Sequence, residues 1–267
     1  MRKSKELKRI ARGVLTGNYG LFIVAMILSS MIPSALLIPF NTMLQNDVFY
    51  KHINYQTFAI YLVASILVAL VSTILQAGQI KMHLNKARNQ KAQISDIFSQ
   101  FKNRPDRFIV AAILLGVMLT LCMIPMMVVT VFIVASIPAF GSAPTLGGIL
   151  ILAVVSIISI IVEIYLGLRF SQFIFILADH EDCSAIDSLK QSYRLMSGHT
   201  GRLFYIGLSF IGITLLSSFS FGVALLWVQP YTIQTQTQFY LDITGEIDER
   251  IEARNRMDEE MGPMMEY

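Results

Sequence analysis

The chain has 267 residues, of which 54% are hydrophobic and only 15% are charged, and its mean hydropathy is +0.59. A typical soluble domain carries about 25% charged residues. Because so few charges cannot cover a water-facing surface, the composition excludes an ordinary soluble domain and indicates a protein that lies partly in lipid.

Long runs without a charged residue predict the membrane spans. The runs are residues 14–46, 53–80, 108–162 and 203–241. A helix needs about 20 apolar residues to cross roughly 30 Å of hydrocarbon, so the third run is long enough for two spans, separated by the turn-forming residues 138–148. The runs therefore predict spans at Leu21–Phe40, Thr57–Ile80, Phe108–Ile137, Ile149–Leu177 and Leu203–Phe219.

A sixth span is predicted at Val223–Leu241. This segment carries four glutamines and Pro230, which is polar for a helix in lipid but acceptable for one packed among other helices. The alternative is a protein of five spans followed by an external polar segment. We expect an all-α polytopic membrane bundle of six transmembrane helices, with five as the alternative.

The basic residues alternate between the two sides of these spans. Six of them precede the first span, Lys51 stands alone in the next loop, and seven lie between the second and third spans. The loop at 138–148 has no charge, and three more basic residues precede the fifth span. The positive-inside rule places the N-terminus in the cytoplasm. The first apolar run is too long for a signal peptide and is interpreted as a retained span.

Short sequence matches predict an internal repeat. Gly17, Asn103 and Gly198 occupy equivalent positions, each after a polar segment with helical apolar spacing and before a span. The predicted unit is a cytoplasmic amphipathic helix, a Gly or Asn residue that ends it, and a hairpin of two spans. The chain then forms one membrane domain, residues 1–241, of three units (about 1–80, 88–177 and 184–241), with an acidic cytoplasmic tail at 242–267.

Several segments resemble a known family. They are Ser4–Phe22, Ile94–Phe101, Ser184–Gly198, Arg202–Phe204, Leu208–Gly212, Pro230–Tyr231 and Phe239–Tyr240. Together they are similar to a polytopic membrane family found largely in Gram-positive bacteria and known only as domain of unknown function nine-seven-five. The resemblance implies an integral protein of the bacterial cytoplasmic membrane without an established activity. It also implies that the segment around residues 230–240 is a final helix, as in the similar membrane domains of some glycerophosphodiester phosphodiesterases.

Glu163 and Arg169 are the charged residues inside a predicted span, which makes them the candidate functional charges. Arg169 lies near enough to the span end to reach the headgroups, whereas Glu163 lies deeper. Their spacing puts them on different faces of the helix, so a partner for Glu163 is sought at Gln76, Gln79 or Lys81. A packing or interface role is the alternative.

No constellation for catalysis or metal binding is expected. Residues 179–183 are rich in metal-capable side chains but lack ligand spacing, and they are interpreted as the approach to a helix capped by Ser184 with Asp187 in its first turn. The four histidines, at positions 52, 83, 180 and 199, are assigned to loops, and the serines near residue 218 have no nearby base. We therefore expect no enzyme activity, metal or cofactor, and no disulfide between Cys122 and Cys183.

The function expected from the sequence is that of a non-enzymatic accessory or scaffold protein of the envelope. Its amphipathic helices would form a cytoplasmic surface that contacts lipid or a partner. The alternative is a small transporter or permease subunit in which Glu163 and glutamine side chains line a path. The expected partners are membrane lipids and a membrane protein or a second copy of the chain. Nucleic acid is not expected, because the basic patches border spans and suit anionic headgroups.

Overall fold

A computed structural model describes residues 2–49, 54–140 and 146–261, and within those ranges the chain is helical and has no strand. The α-helices are α1 (Ser4–Leu15), α2 (Tyr19–Phe49), α3 (Tyr55–Ala87), α4 (Ser99–Lys102), α5 (Asp106–Phe140), α6 (Leu146–Phe170), α7 (Phe173–Asp179), α8 (Ala185–Leu195), α9 (Thr200–Ser217), α10 (Leu225–Ile243) and α11 (Glu246–Met261). Short 3₁₀ helices lie at Ile94–Phe98 and Ser218–Ser220. The predicted all-α architecture is confirmed.

Five segments of the described chain are long and apolar enough to cross a membrane. They are Tyr19–Asp47, Tyr55–Ala87, Asp106–Ala135, Leu146–Asp179 and Thr200–Ser220. Each overlaps one of the first five predicted spans, so the chain is a multi-pass membrane protein. The predicted break between the third and fourth spans is narrower than expected, since α5 continues to Phe140 and α6 begins at Leu146; residues 141–145 lie outside the described residues.

The predicted sixth span is a helix, α10, but it is not among the five apolar segments. It follows a turn in which Phe221 and Gly222 both have positive φ, and its 19 residues extend about 28 Å. From Gln234 onwards almost all of its side chains are buried against α1, α2, α3 and α9. Protein rather than lipid surrounds the second half of α10, and this accounts for the buried Gln234 and Gln238.

The first amphipathic helix, α1, lies along α10. Arg2 contacts Asp242, Leu7 packs with Phe239, and the Arg12 guanidinium lies 5.6 Å from a ring of α10. The apolar face of α1 is therefore covered by the protein itself. This differs from the expectation of three equivalent helices displayed on one surface.

The second amphipathic segment is only a 3₁₀ helix followed by the single turn α4, where helical spacing predicted one α-helix. The backbone of this 3₁₀ segment lies directly against α3 at Gly78. A Cβ at Gly78 would lie 2.0 Å from the carbonyl oxygen of Ile97, so only glycine lets this backbone pack directly on α3. Ile97 is fully buried as a result.

The turns that enter the three hairpins share one geometry. Gly17 and Gly198 have φ of 79° and 80°, which confirms the left-handed residue expected at both. The prediction of Asn103 as the third such residue is wrong, because Asn103 has φ of −104° and the next residue, Arg104, has φ of 51°. In each of the three turns, a long helix begins two residues after the residue with positive φ. The duplication itself remains a prediction.

Ion pairs join residues of α7, α9, α10 and α11 with residues that flank α1 and α3 at one end of the bundle, which we call the charged end. Its residues are Arg2, Arg88, Asp179, Arg202, Asp242, Glu246, Asp248 and Arg250. Arg202 donates to Asp242 at 2.7 Å, and Arg88 donates to Glu246 at 2.7 Å. The Asp242 carboxylate is fully buried between Arg2 and Arg202. The beginning of the predicted tail thus packs on the membrane domain.

The charged end is expected to weaken in acid. Burial alone would raise the pKa of Glu246, but the hydrogen bonds and charge of Arg88, with the charge of Arg250, hold that pKa below its ordinary value. A carboxylate with a lowered folded-state pKa stabilises the fold above its unfolded pKa of about 4.5, and the contribution is lost as pH falls through the lower folded value. We therefore expect the Tm in detergent to decrease when the pH is lowered below about 4.5.

Glu246→Gln is the matched variant for this pH dependence. It should lower the free energy of unfolding at pH 7 by at most about 1 kcal/mol, because Glu246 is partly exposed, and should make the decline of Tm in acid less steep. A decline of the same steepness in both proteins would show that Glu246 does not cause it.

Candidate functional site

A polar cleft opens between α2, α3 and α10, with the start of α7 at its edge. Its volume is about 590 Å³. Nine of the side chains that line it are serines and glutamines: Ser29, Ser30, Ser34, Ser72, Ser171, Gln76, Gln79, Gln229 and Gln236. The remaining lining residues are apolar, and no charged side chain is among them. We call this feature the polar cleft.

The helical repeat places these polar residues together. On α3, Ser72, Gln76 and Gln79 follow at intervals of four and three residues, which puts them on one face. On α10, Gln229 and Gln236 are seven residues apart and also share a face. Each helix therefore contributes one polar stripe, and the cleft forms where the stripes meet.

The polar cleft lies within the apolar part of α3. At 1.5 Å per residue, α3 is about 50 Å long, and the stretch from Gln79 to Ser72 lies about 12 to 22 Å from its last residue, Ala87. The predicted span ends at Ile80 and is followed by Lys81, so Gln79, Gln76 and Ser72 lie within about 12 Å of that end of the span, nearer to the charged end.

The hydrogen bonds of the cleft leave the glutamine amides unpaired. All five serine hydroxyls donate to carbonyl oxygens of their own helices, at 2.7 to 3.0 Å. The side-chain amides of the four glutamines make no hydrogen bond with any residue that the structure describes. An unpaired amide in hydrocarbon costs several kcal/mol, so the cleft requires water or a polar ligand.

A buried polar pair lies close to the cleft. His83 Nδ1 is 2.7 Å from Gln234 Oε1, and the His83 ring stacks on Phe22 with centroids 4.2 Å apart. The amide nitrogen of Gln234 is buried without a partner among the described residues. The assignment of His83 to a loop is therefore wrong: α3 extends to Ala87, beyond the predicted span end at Ile80, and brings this histidine into the protein interior.

Glu163 and Arg169 are not part of the polar cleft. Glu163 is half-buried on α6 and makes no hydrogen bond or ion pair with the described residues, Gln76, Gln79 and Lys81 included. Arg169 lies in the last turn of α6, with its guanidinium 3.9 Å from the ring of Tyr193. The structure does not bring the two candidate charges together.

The segment after α7 has structural partners. Asp179 pairs with Arg88, while the buried Arg107 donates to the carbonyl oxygens of His180 at 2.9 Å and Cys183 at 3.0 Å. Ser184 accepts a hydrogen bond from the N–H of Asp187, three residues on, which confirms it as the cap of α8. Within the described ranges, no group of three metal-capable side chains meets here or elsewhere.

The sequence named Gln76 and Gln79 only as possible partners of Glu163, and the serines of α2 and Ser72 were not predicted as part of a site. Ser72, Gln76 and Gln79 recur at helical spacing inside an uncharged run, and this signal was available. Serines in a membrane helix usually bond to their own backbone, as these do, so they carry little information until the helices are packed together.

The fold and the polar cleft define a polytopic helical membrane protein with an uncharged polar site between its helices. A family model described as "Protein of unknown function (DUF975)" matches residues 1–246. The chain belongs to this family, as its resemblance predicted. No curated protein and no solved structure gives a match.

Proposed function

We propose that this protein is a non-enzymatic membrane carrier, a small transporter or permease subunit, whose polar cleft binds a small uncharged polar solute. The observation that supports this proposal is the set of four glutamine amides that line the polar cleft and have no hydrogen-bond partner among the described residues. Such amides recognise hydroxyl and amide groups, and the absence of a lining charge disfavours an ion. The path therefore runs through the polar cleft rather than past Glu163.

The non-enzymatic part of the proposal also draws on the cleft. A serine nucleophile needs an adjacent base, and neither a histidine, a lysine nor a carboxylate is among the residues that line the polar cleft. We place the protein in a bacterial cytoplasmic membrane with the charged end towards the cytoplasm, because the basic loops favour that orientation.

The accessory role expected from the sequence is the second candidate, and the α5–α6 hairpin favours it. In the most apolar 18-residue stretch of α5 no residue is buried, and in that of α6 almost none is. A hairpin with two free apolar faces suits the membrane helices of a partner. Native mass spectrometry after purification in mild detergent distinguishes the candidates: a stoichiometric protein partner supports the accessory role, and a lone chain supports the carrier.

Water access to the polar cleft is the first prediction of the carrier proposal. In a background with both native cysteines changed to alanine, Ser72→Cys should react with a water-soluble methanethiosulfonate reagent at least about tenfold faster than Leu121→Cys, since a thiol reacts as its hydrated thiolate. Leu121 is the matched control because it lies as far from the start of α5 as Ser72 lies from the end of α3, and it is 59% exposed and does not line the polar cleft. Equal rates would contradict a hydrated cleft.

Transport is tested with defined solutes. Proteoliposomes are mixed with hyperosmotic glycerol or urea, and their reswelling is followed by light scattering. We expect reswelling that depends on the protein. It should be lost in the double variant Gln79→Leu/Gln236→Leu and kept in the Glu163→Gln variant. If neither solute enters faster than in protein-free vesicles, or if Glu163→Gln alone abolishes entry, the proposed path is wrong.

A further inference from the structure

Helix α8 has an unusual orientation. It buries its small residues Ala185, Ser188 and Ser192 against the bundle, while Ile186 is 53% exposed and Tyr193 is 41% exposed on the outside. The outward apolar residues lie beside the end of α6, at the boundary of the membrane domain. An amphipathic helix that turns its apolar side away from its own protein has that side suited to lipid.

A crevice of about 320 Å³ lies between α8 and the end of α6. It is lined by Phe170, Ile186, Leu189, Lys190, Tyr193 and Arg194. Two of the six are basic and none is acidic. The aromatic rings of Phe170 and Tyr193 are 5.7 Å apart and form one wall. The crevice thus combines an apolar surface with a positive rim.

Arg169 lies beside the crevice: it is not one of the lining residues, but it contacts the lining residue Tyr193. Its guanidinium stacks on Tyr193 at 3.9 Å, and its Nε is buried with no hydrogen-bond partner among the described residues. Arg169, Lys190 and Arg194 form no ion pair with a carboxylate in the described part of the chain. Three cations around one crevice without an acidic partner favour a ligand that brings negative charge.

We propose that this crevice is a binding site for an anionic phospholipid. The phosphate accepts hydrogen bonds from Arg169, Lys190 and Arg194, and an acyl chain packs against Ile186 and Phe170. A lipid fits better than a free anion, because the apolar wall and the basic rim are parts of the same surface. Basic pockets at the ends of membrane helices bind anionic headgroups in this way, and each basic residue contributes about 1 kcal/mol. The site is independent of the polar cleft.

The test is lipid retention in native mass spectrometry. The purified protein is placed in nanodiscs of phosphatidylcholine with a minor fraction of phosphatidylglycerol, released into the gas phase, and the retained lipid is counted. The wild type should retain one phosphatidylglycerol in preference to phosphatidylcholine. The variant Arg169→Gln/Lys190→Gln/Arg194→Gln should lose this preference by roughly 100-fold, about fivefold for each charge.

The matched control removes three other charges. Lys3, Lys5 and Arg9 are exposed basic residues of the α1 segment, and their joint change to Gln should leave the retained lipid unchanged. An equal loss in this control would mean general surface charge and would overturn the site, as would unchanged retention in the first variant. If the first variant does not fold, the wild type alone still tests the proposal. Retention of the two lipids in proportion to their abundance would overturn it.

Discussion

Replacement of Asp242 by Asn is expected to lower the free energy of unfolding by about 3 kcal/mol, because it removes a fully buried carboxylate that pairs with two arginines at once. The Asp242 side chain is fully buried, accepts from Arg2 at 3.3 Å and from Arg202 at 2.7 Å, and thereby joins α1, α9 and α10. Thermal unfolding in detergent should show the loss as a lower Tm.

Asp248→Asn is the control for this expectation. Asp248 also pairs with Arg2, at 2.7 Å, but its side chain is 51% exposed. A surface pair of this kind contributes less than about 1 kcal/mol. A drop in Tm as large as that of Asp242→Asn would show that burial is not what makes the charged end stable.

Substitution of Gly78 by Ala is expected to destabilise the protein by about 1–3 kcal/mol or more, since overpacking displaces neighbouring backbone. The added methyl group would meet the carbonyl oxygen of Ile97 at 2.0 Å and its Cα at 2.7 Å. Backbone atoms cannot move aside as a flexible side chain does, so the segment Ile94–Phe98 must separate from α3. Limited chymotrypsin digestion should then cleave after Phe98 more rapidly.

Gly116→Ala is the matched substitution for Gly78. Gly116 lies in the middle of α5, and a Cβ there meets no atom within 4 Å. Alanine is the better helix former by up to about 1 kcal/mol, so this variant should be as stable as the wild type or more stable. If both glycine variants lose the same stability, close packing at Ile97 is not the cause.

The spans could be predicted from the sequence because hydrocarbon penalises charge over a fixed thickness. Uncharged runs therefore marked α2, α3, α5, α6 and α9 without any knowledge of their packing. The interruption of the fourth span at Ser171–Gln172 could not be predicted in the same way. It depends on Ser192 of α8, which accepts from the Gln172 N–H at 3.1 Å and donates to the Arg169 carbonyl at 3.0 Å.

The polar cleft could not be assembled from the sequence, because its walls come from residues about 200 positions apart. Glutamines in α10 were predicted to pack among helices, and Gln76 and Gln79 of α3 were assigned to Glu163 rather than to α10, while the serines of α2 were not predicted at all. Charge drew attention to Glu163 instead. Membrane helices tolerate neutral amides in larger numbers than charged side chains. A polar site can therefore form there without the charged residues that usually mark a functional site in the sequence.

The central position of α10 has a consequence for how the protein is made. Its partners α1, α2 and α3 are synthesised long before α10. Until α10 is made, the glutamines of α3 therefore lack their neighbours on that helix. Insertion of the last hairpin then completes the interior in one late step. A nascent chain stalled before residue 225 would therefore lack the helix against which α1, α2 and α3 pack.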